Sequence, residues 1–162
     1  MTDSRTPPMD LDRLDRRLLR LVQGNARRTA EDLGAEVGLS ASAVQRRLRR
    51  LRESGPIERM TAIVQPSAVG RGILAVVEVT LESGGGDNHQ TLGEALSDQP
   101  EVMQCYVVAG GADLVLMISA RDLDDYERFM RTHLAADPRV KRTQTAFITR
   151  RLKYGLEVPV AD

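Results

Sequence analysis

A single cysteine among 162 residues, Cys105, has no partner with which to build an internal disulfide framework, and it fits a reducing compartment. No apolar run approaches the roughly 20 residues needed to cross a bilayer, and Met1 to Asp10 has no hydrophobic stretch of the signal-peptide kind. A cytoplasmic protein with no membrane partner is expected. Net charge is also missing: 23 basic and 23 acidic residues cancel, which argues against a generic polyanion binder. His89, His133 and Cys105 are scattered without metal-ligand spacing, and neither a phosphate loop nor a nucleophile elbow occurs. No catalytic residue, metal or cofactor is expected.

The apolar fraction of 41% is ordinary for a globular chain and allows one medium domain or two small ones. The cancelled charge is unevenly spread. Through Gly55 there are 12 arginines against 8 acidic residues, a surplus of +4, and the remainder balances it with −4. The basic excess culminates in LSASAVQRRLRRLR, from Leu39 to Arg52. At about 100° per residue, Val44, Leu48 and Leu51 share one narrow stripe, while Ser42, Arg46 and Arg49 point the opposite way with Arg50 beside them. Ser40 stands at the N-cap position, and Gly55-Pro56 ends the helix.

Upstream, Leu11, Leu14, Leu18 and Leu21 recur at helical spacing behind Asp10 and Asp12, a segment that should end near Gly24-Asn25. Thr29-Ala30-Glu31-Asp32 resembles a capping box and opens a short helix through Val37, with Gly38 supplying the turn into Leu39. Helix, short helix, glycine turn and basic helix form the helix-turn-helix plan, whose last helix enters the DNA major groove. The expected DNA-contact set is Ser40, Ser42, Gln45, Arg46, Arg49 and Arg50. Gln45 and Arg46 suit adenine and guanine edges, with Ser42 beside them, whereas Arg49 and Arg50 suit phosphates. Arg47 lies on the flank of the packed stripe, where an internal ion pair and a DNA contact compete.

After Pro56 the pattern changes. Ile57 to Val64 reads as an extended strand and Pro66 to Gly72 as a hinge. Strands are then expected over Ile73–Leu81, Glu101–Val108, Asp113–Ser119 and Val140–Thr149, with a mobile loop at Ser83–Asp87. Helices are expected over Asn88–Ser97, using Leu92, Ala95 and Leu96, and from Asp122 to Ala136, using Tyr126, Phe129, Met130 and Leu134. The order βαββαβ is the ferredoxin-like split arrangement, giving an α+β chain with a helix-turn-helix domain in front. The expected boundaries are a disordered lead-in at 1–9, a DNA-binding domain at 10–57, a linker and hinge at 58–72 and a sensing domain at 73–162. Both faces of the first and third strands are apolar, Leu74 and Val76 against Ala75 and Val77, so the face without helices needs a cover. A second copy is the favoured cover, because palindromic operator reading also needs two recognition helices about 34 Å apart; the first domain folding back is the other.

Three segments together resemble the Lrp/AsnC, or feast/famine, family of regulators: LDRLDRRLLRLVQGNARRT, LSASAVQRRLRRLRESGPI and VVAGGADLVLMI. The resemblance covers Leu11 to about Lys153. It implies a winged helix-turn-helix joined to a ligand-sensing ferredoxin-like domain, dimers that assemble to tetramers or octamers, and promoter binding answering to an amino acid or related metabolite. Effector residues implied are Gly110, Gly111, Ala112 and Asp113, in the loop after the second strand. Glycines there let backbone N–H groups approach a small anion, and Asp113 could accept from an ammonium group. Family members carry an acidic or polar residue and then an aromatic where this chain has Gly111 and Ala112, and a hydrophobic residue where it has Pro56. Two other readings stay open: an effector-independent architectural protein that wraps DNA, and a small enzyme on a ferredoxin-like dimer, for which a front end of outward arginines has no use.

Overall fold

The computed structural model describes residues 10–82 and 87–161, so the expected lead-in at 1–9 and residues 83–86 of the expected loop lie outside it. The chain divides into two compact units, one comprising the residues up to Ala62 together with those from Tyr154 onward, the other Ile63–Lys153. The first break falls inside the expected linker. The tail corrects the sequence reading, which assigned everything after residue 72 to the second domain. Its anchor is a paired amide: the Gln23 side chain accepts from the Val158 N–H at 2.8 Å and donates to the Val158 carbonyl at 3.2 Å, while Arg20 donates to the Val160 carbonyl. One glutamine satisfies both backbone groups of Val158.

The first unit is built from α1 (Arg13–Gly24), α2 (Ala30–Val37) and α3 (Ala41–Glu53). Asp12 caps α1, and Asp15 returns the bond to the Asp12 N–H, forming a capping box. Thr29 and Asp32 do the same for α2, so aspartate substitutes for the usual longer acid. Leu18, Leu33, Val37 and Val44 form the buried centre, with Leu14, Leu21 and Leu48 packed around it. Gly38 turns the chain at φ 72°, a left-handed conformation that a side chain would oppose. Gly34 serves a different end. A Cβ there would overlap the Leu39 carbonyl oxygen, so its missing side chain lets α2 approach the start of α3. Gly34→Ala is expected to cost about 1–2 kcal/mol by overpacking, even after alanine's helix preference is credited. Urea denaturation would show it; an unchanged or higher midpoint would mean the backbone yields freely.

Ile57 to Val64 departs from expectation. Among the described residues the sheet contains four strands, all within the second unit, and this segment joins none of them. Met60, Ile63 and Val64 stay exposed. Strand propensity is realised only against a neighbouring strand, and this segment has none among the described residues.

The second unit holds β1 (Ile73–Leu81), α4 (Asp87–Ser97), β2 (Val102–Val107), β3 (Leu114–Ala120), α5 (Leu123–Met130, continued by a wider turn over Arg131–Ala135) and β4 (Val140–Phe147). The sheet order is β2-β3-β1-β4, antiparallel throughout, which is the expected ferredoxin-like arrangement. Ala75, Val77 and Val79 of β1 alternate inward with Leu114, Leu116 and Ile118 of β3. Leu92 and Leu96 of α4 and Tyr126, Phe129 and Leu134 of α5 and its extension cover them. Ala95 is exposed, contrary to expectation, and Gly93 faces inward instead, beside Leu114 and Cys105. Asp122 caps α5 through the Asp125 N–H. On the opposite face Leu74, Val76 and Met117 are half-buried and Tyr106 is exposed, interleaved with Glu78, Gln104 and Gln144.

Candidate nucleic-acid interface

α3 begins where its sequence says it should. The Ser40 hydroxyl accepts from the Ala43 N–H at 3.3 Å and lies 3.1 Å from the Ser42 hydroxyl. Val44 and Leu51 are fully buried. On the other side Ser42, Gln45, Arg46 and Arg49 are exposed. Gln45, Arg46 and Arg49 make no hydrogen bond or ion pair within the described residues, so their donors face solvent. Three unspent donor groups on one helix face, on a basic unit, form a surface ready for an acceptor-rich partner.

The other two arginines behave differently. Arg47 donates through Nη1 to Asp12 Oδ2 at 2.6 Å and to Asp15 Oδ1 at 2.8 Å, resolving its ambiguity in favour of an internal pair. These two carboxylates hold its guanidinium above the usual arginine pKa, and the Asp15 N–H, with Arg47, holds Asp12 below the usual carboxylate range. Arg50, read from the sequence as a phosphate contact, is engaged within the free protein. Its Nη2 pairs with Asp15 Oδ2, because Asp15 has 0% of its surface exposed and a buried carboxylate requires charged partners. Helical periodicity places Arg50 on the outward side but says nothing of what α1 offers below it. Asp15 was missed as a functional residue. The available signal was an acid on the same face as Leu11 and Leu18, three residues after a capping aspartate.

In the second unit the loop between β2 and β3 carries the expected effector residues. Gly110 and Gly111 are exposed, and neither has positive φ; the described glycines that do are Gly38, Gly55 and Gly70. Asp113, expected to accept from an ammonium group, is engaged within the chain: Oδ2 accepts from the Leu81 N–H at 2.7 Å and Oδ1 lies 3.1 Å from His89 Nε2. The Leu81 N–H, and then His89, hold its carboxyl below the usual range. Both oxygens are engaged in tying the loop to the end of β1 and to α4. Ala112 is half-buried beside it.

Residues 11–52 match the AsnC-type helix-turn-helix domain, and residues 74–158 match the Lrp/AsnC ligand binding domain. The chain belongs to the Lrp/AsnC family. An HTH-type transcriptional regulator of Sinorhizobium fredii is 41% identical over 152 residues, covering 94% of this chain and 90% of the relative. Among solved structures, the AsnC family transcriptional regulator of Agrobacterium tumefaciens is 30% identical with a TM-score of 0.84, covering 92% of this chain and 97% of that one. A transcriptional regulator of Neisseria meningitidis solved as an L-Met complex is 27% identical, also with a TM-score of 0.84, covering 92% and 96%. In Lrp/AsnC terms the exposed face of α3 lies on the helix-turn-helix domain, and the Ala109–Asp113 loop lies within the ligand-binding domain. No helix among the described residues is long and apolar enough to cross a membrane.

Proposed function

We propose that this Lrp/AsnC regulator acts as a cytoplasmic homodimer, able to assemble further to tetramers or octamers, that reads operator DNA through α3 and answers to a small amino acid. One observation carries the DNA reading: Gln45, Arg46 and Arg49 stand exposed and unpaired on the face of α3 opposite Val44 and Leu51. Ser42, Gln45 and Arg46, early on the helix, are assigned to base edges, and Arg49 to a phosphate. Ser40 supports them by fixing the helix start, at the end of the helix whose N–H groups favour a phosphate. The mixed face of the sheet, with Leu74, Val76, Met117 and Tyr106, supports association of two copies, since an apolar face of this kind is seldom left to water.

For the effector, the support is the L-Met complex of the Neisseria relative and the exposed Gly110-Gly111 backbone. With Asp113 already spent, backbone groups of Gly110, Gly111 and Ala112 are left to meet the ligand, which favours its carboxylate over its ammonium as the group recognised there. The test is a panel of amino acids, L-methionine included, measured for thermal shift and for change in duplex affinity. At least one is expected to shift both. A flat panel with DNA binding intact would replace the sensor by an effector-independent architectural protein.

A further inference from the structure

Asp15 holds two guanidinium groups where one would compensate its charge. Arg47 takes Oδ1 at 2.8 Å and Arg50 takes Oδ2. The two partners are not equivalent. The Arg47 side chain is 24% exposed and is held from a second side by Asp12 at 2.6 Å. The Arg50 side chain is 48% exposed and has no second acid among the described residues. Around α3 it lies about 40° from Arg46, at the edge of the surface assigned to DNA, while Arg47 lies about 100° from Arg46, further toward α1.

We propose that Arg50 is an exchangeable cation: it rests on Asp15 in the free protein and transfers to a DNA phosphate when α3 docks, while Arg47 stays behind to keep Asp15 paired. This inference rests on the reading of α3 as the DNA-contacting helix. The exchange trades one charge-assisted bond for another and leaves the buried carboxylate bonded to Arg47, which it shares with the more exposed Asp12. Asp15 is therefore a positioning residue with two effects. It keeps Arg50 extended along α3 rather than free in solvent, and it competes with the phosphate, so each protomer's docking carries a small electrostatic penalty that non-specific binding must also meet.

Duplex affinity measured between about 50 and 200 mM salt separates the alternatives, since each phosphate neutralised adds about 0.9 to the logarithmic salt slope. Arg50→Gln is expected to flatten the slope by about 0.9 for each phosphate left without its guanidinium, and Arg50→Lys, which keeps the charge, to restore most of it. Asp15→Asn is expected to tighten binding by up to about fivefold, the worth of a half-exposed ion pair, and to lose that gain in the Arg50→Gln background. An Arg50→Gln slope equal to that of the wild type, with wild-type binding intact, overturns the exchange while sparing the DNA reading. A wild-type chain that binds no duplex overturns both. Tightening by Asp15→Asn that survives in the double variant overturns the competition. Should Asp15→Asn not fold, the Arg50→Gln and Arg50→Lys slopes decide alone.

Discussion

Arg47→Met is expected to cost about 3 kcal/mol of stability, several times the cost of Arg50→Gln, although both remove an arginine from the same carboxylate. Arg47 is the more enclosed partner and bridges Asp12 and Asp15, so its loss leaves a wholly buried Asp15 with one half-exposed cation and strips Asp12 of its own. Methionine fills the arginine stem's volume, which keeps a cavity from contributing to the result. Arg50→Gln leaves Asp15 and Arg47 paired and should stay within about 1 kcal/mol, as an outward ion pair does. Urea denaturation gives both values, and amide exchange in α1 and α3 places the loss in the first unit. Equal costs would mean that the two arginines share Asp15 evenly, and the asymmetry behind the exchange would go with it.

Arg46→Ala should weaken operator binding by about 1–3 kcal/mol, roughly ten- to a hundredfold, and relax the preference at a single base pair. Its guanidinium is exposed, unpaired and opposite the packed stripe, so the folded unit loses nothing by its removal and the whole effect appears in binding. Anisotropy titrations over operators with single-base substitutions, at one fixed salt concentration, resolve the two components. A uniform loss over every operator variant would move Arg46 from base reading to phosphate holding.

Much of the fold was legible because its signals are local. Asp12, Thr29 and Ser40 cap the helices they precede, and each accepts from a backbone N–H three residues on. The leucine spacing of α1 and the two-residue alternation of β1 name their buried faces. The exposed face of α3 followed from the same arithmetic, since Val44 and Leu51 can be buried only by turning Arg46 and Arg49 outward. What the sequence did not show shares another feature. The pairing of Arg50 and of Asp113, the place of the tail after Tyr154 and the state of Ile57 to Val64 each depended on what a distant residue offered: Asp15 across 35 positions, Leu81 across 32, Gln23 across 135, and for the last segment no partner strand among the described residues.

The sequence alone determined where the capped helices start, the order of helices and strands in the two domains, the apolar face of most of them, and the family to which the chain belongs, because capping and periodicity are written in neighbouring residues and need no partner. The tertiary structure decided which charged groups are spent and which remain available. A guanidinium or carboxylate is satisfied by whatever lies within about 3 Å of it, and that neighbour is supplied by the packing of elements far apart in the chain.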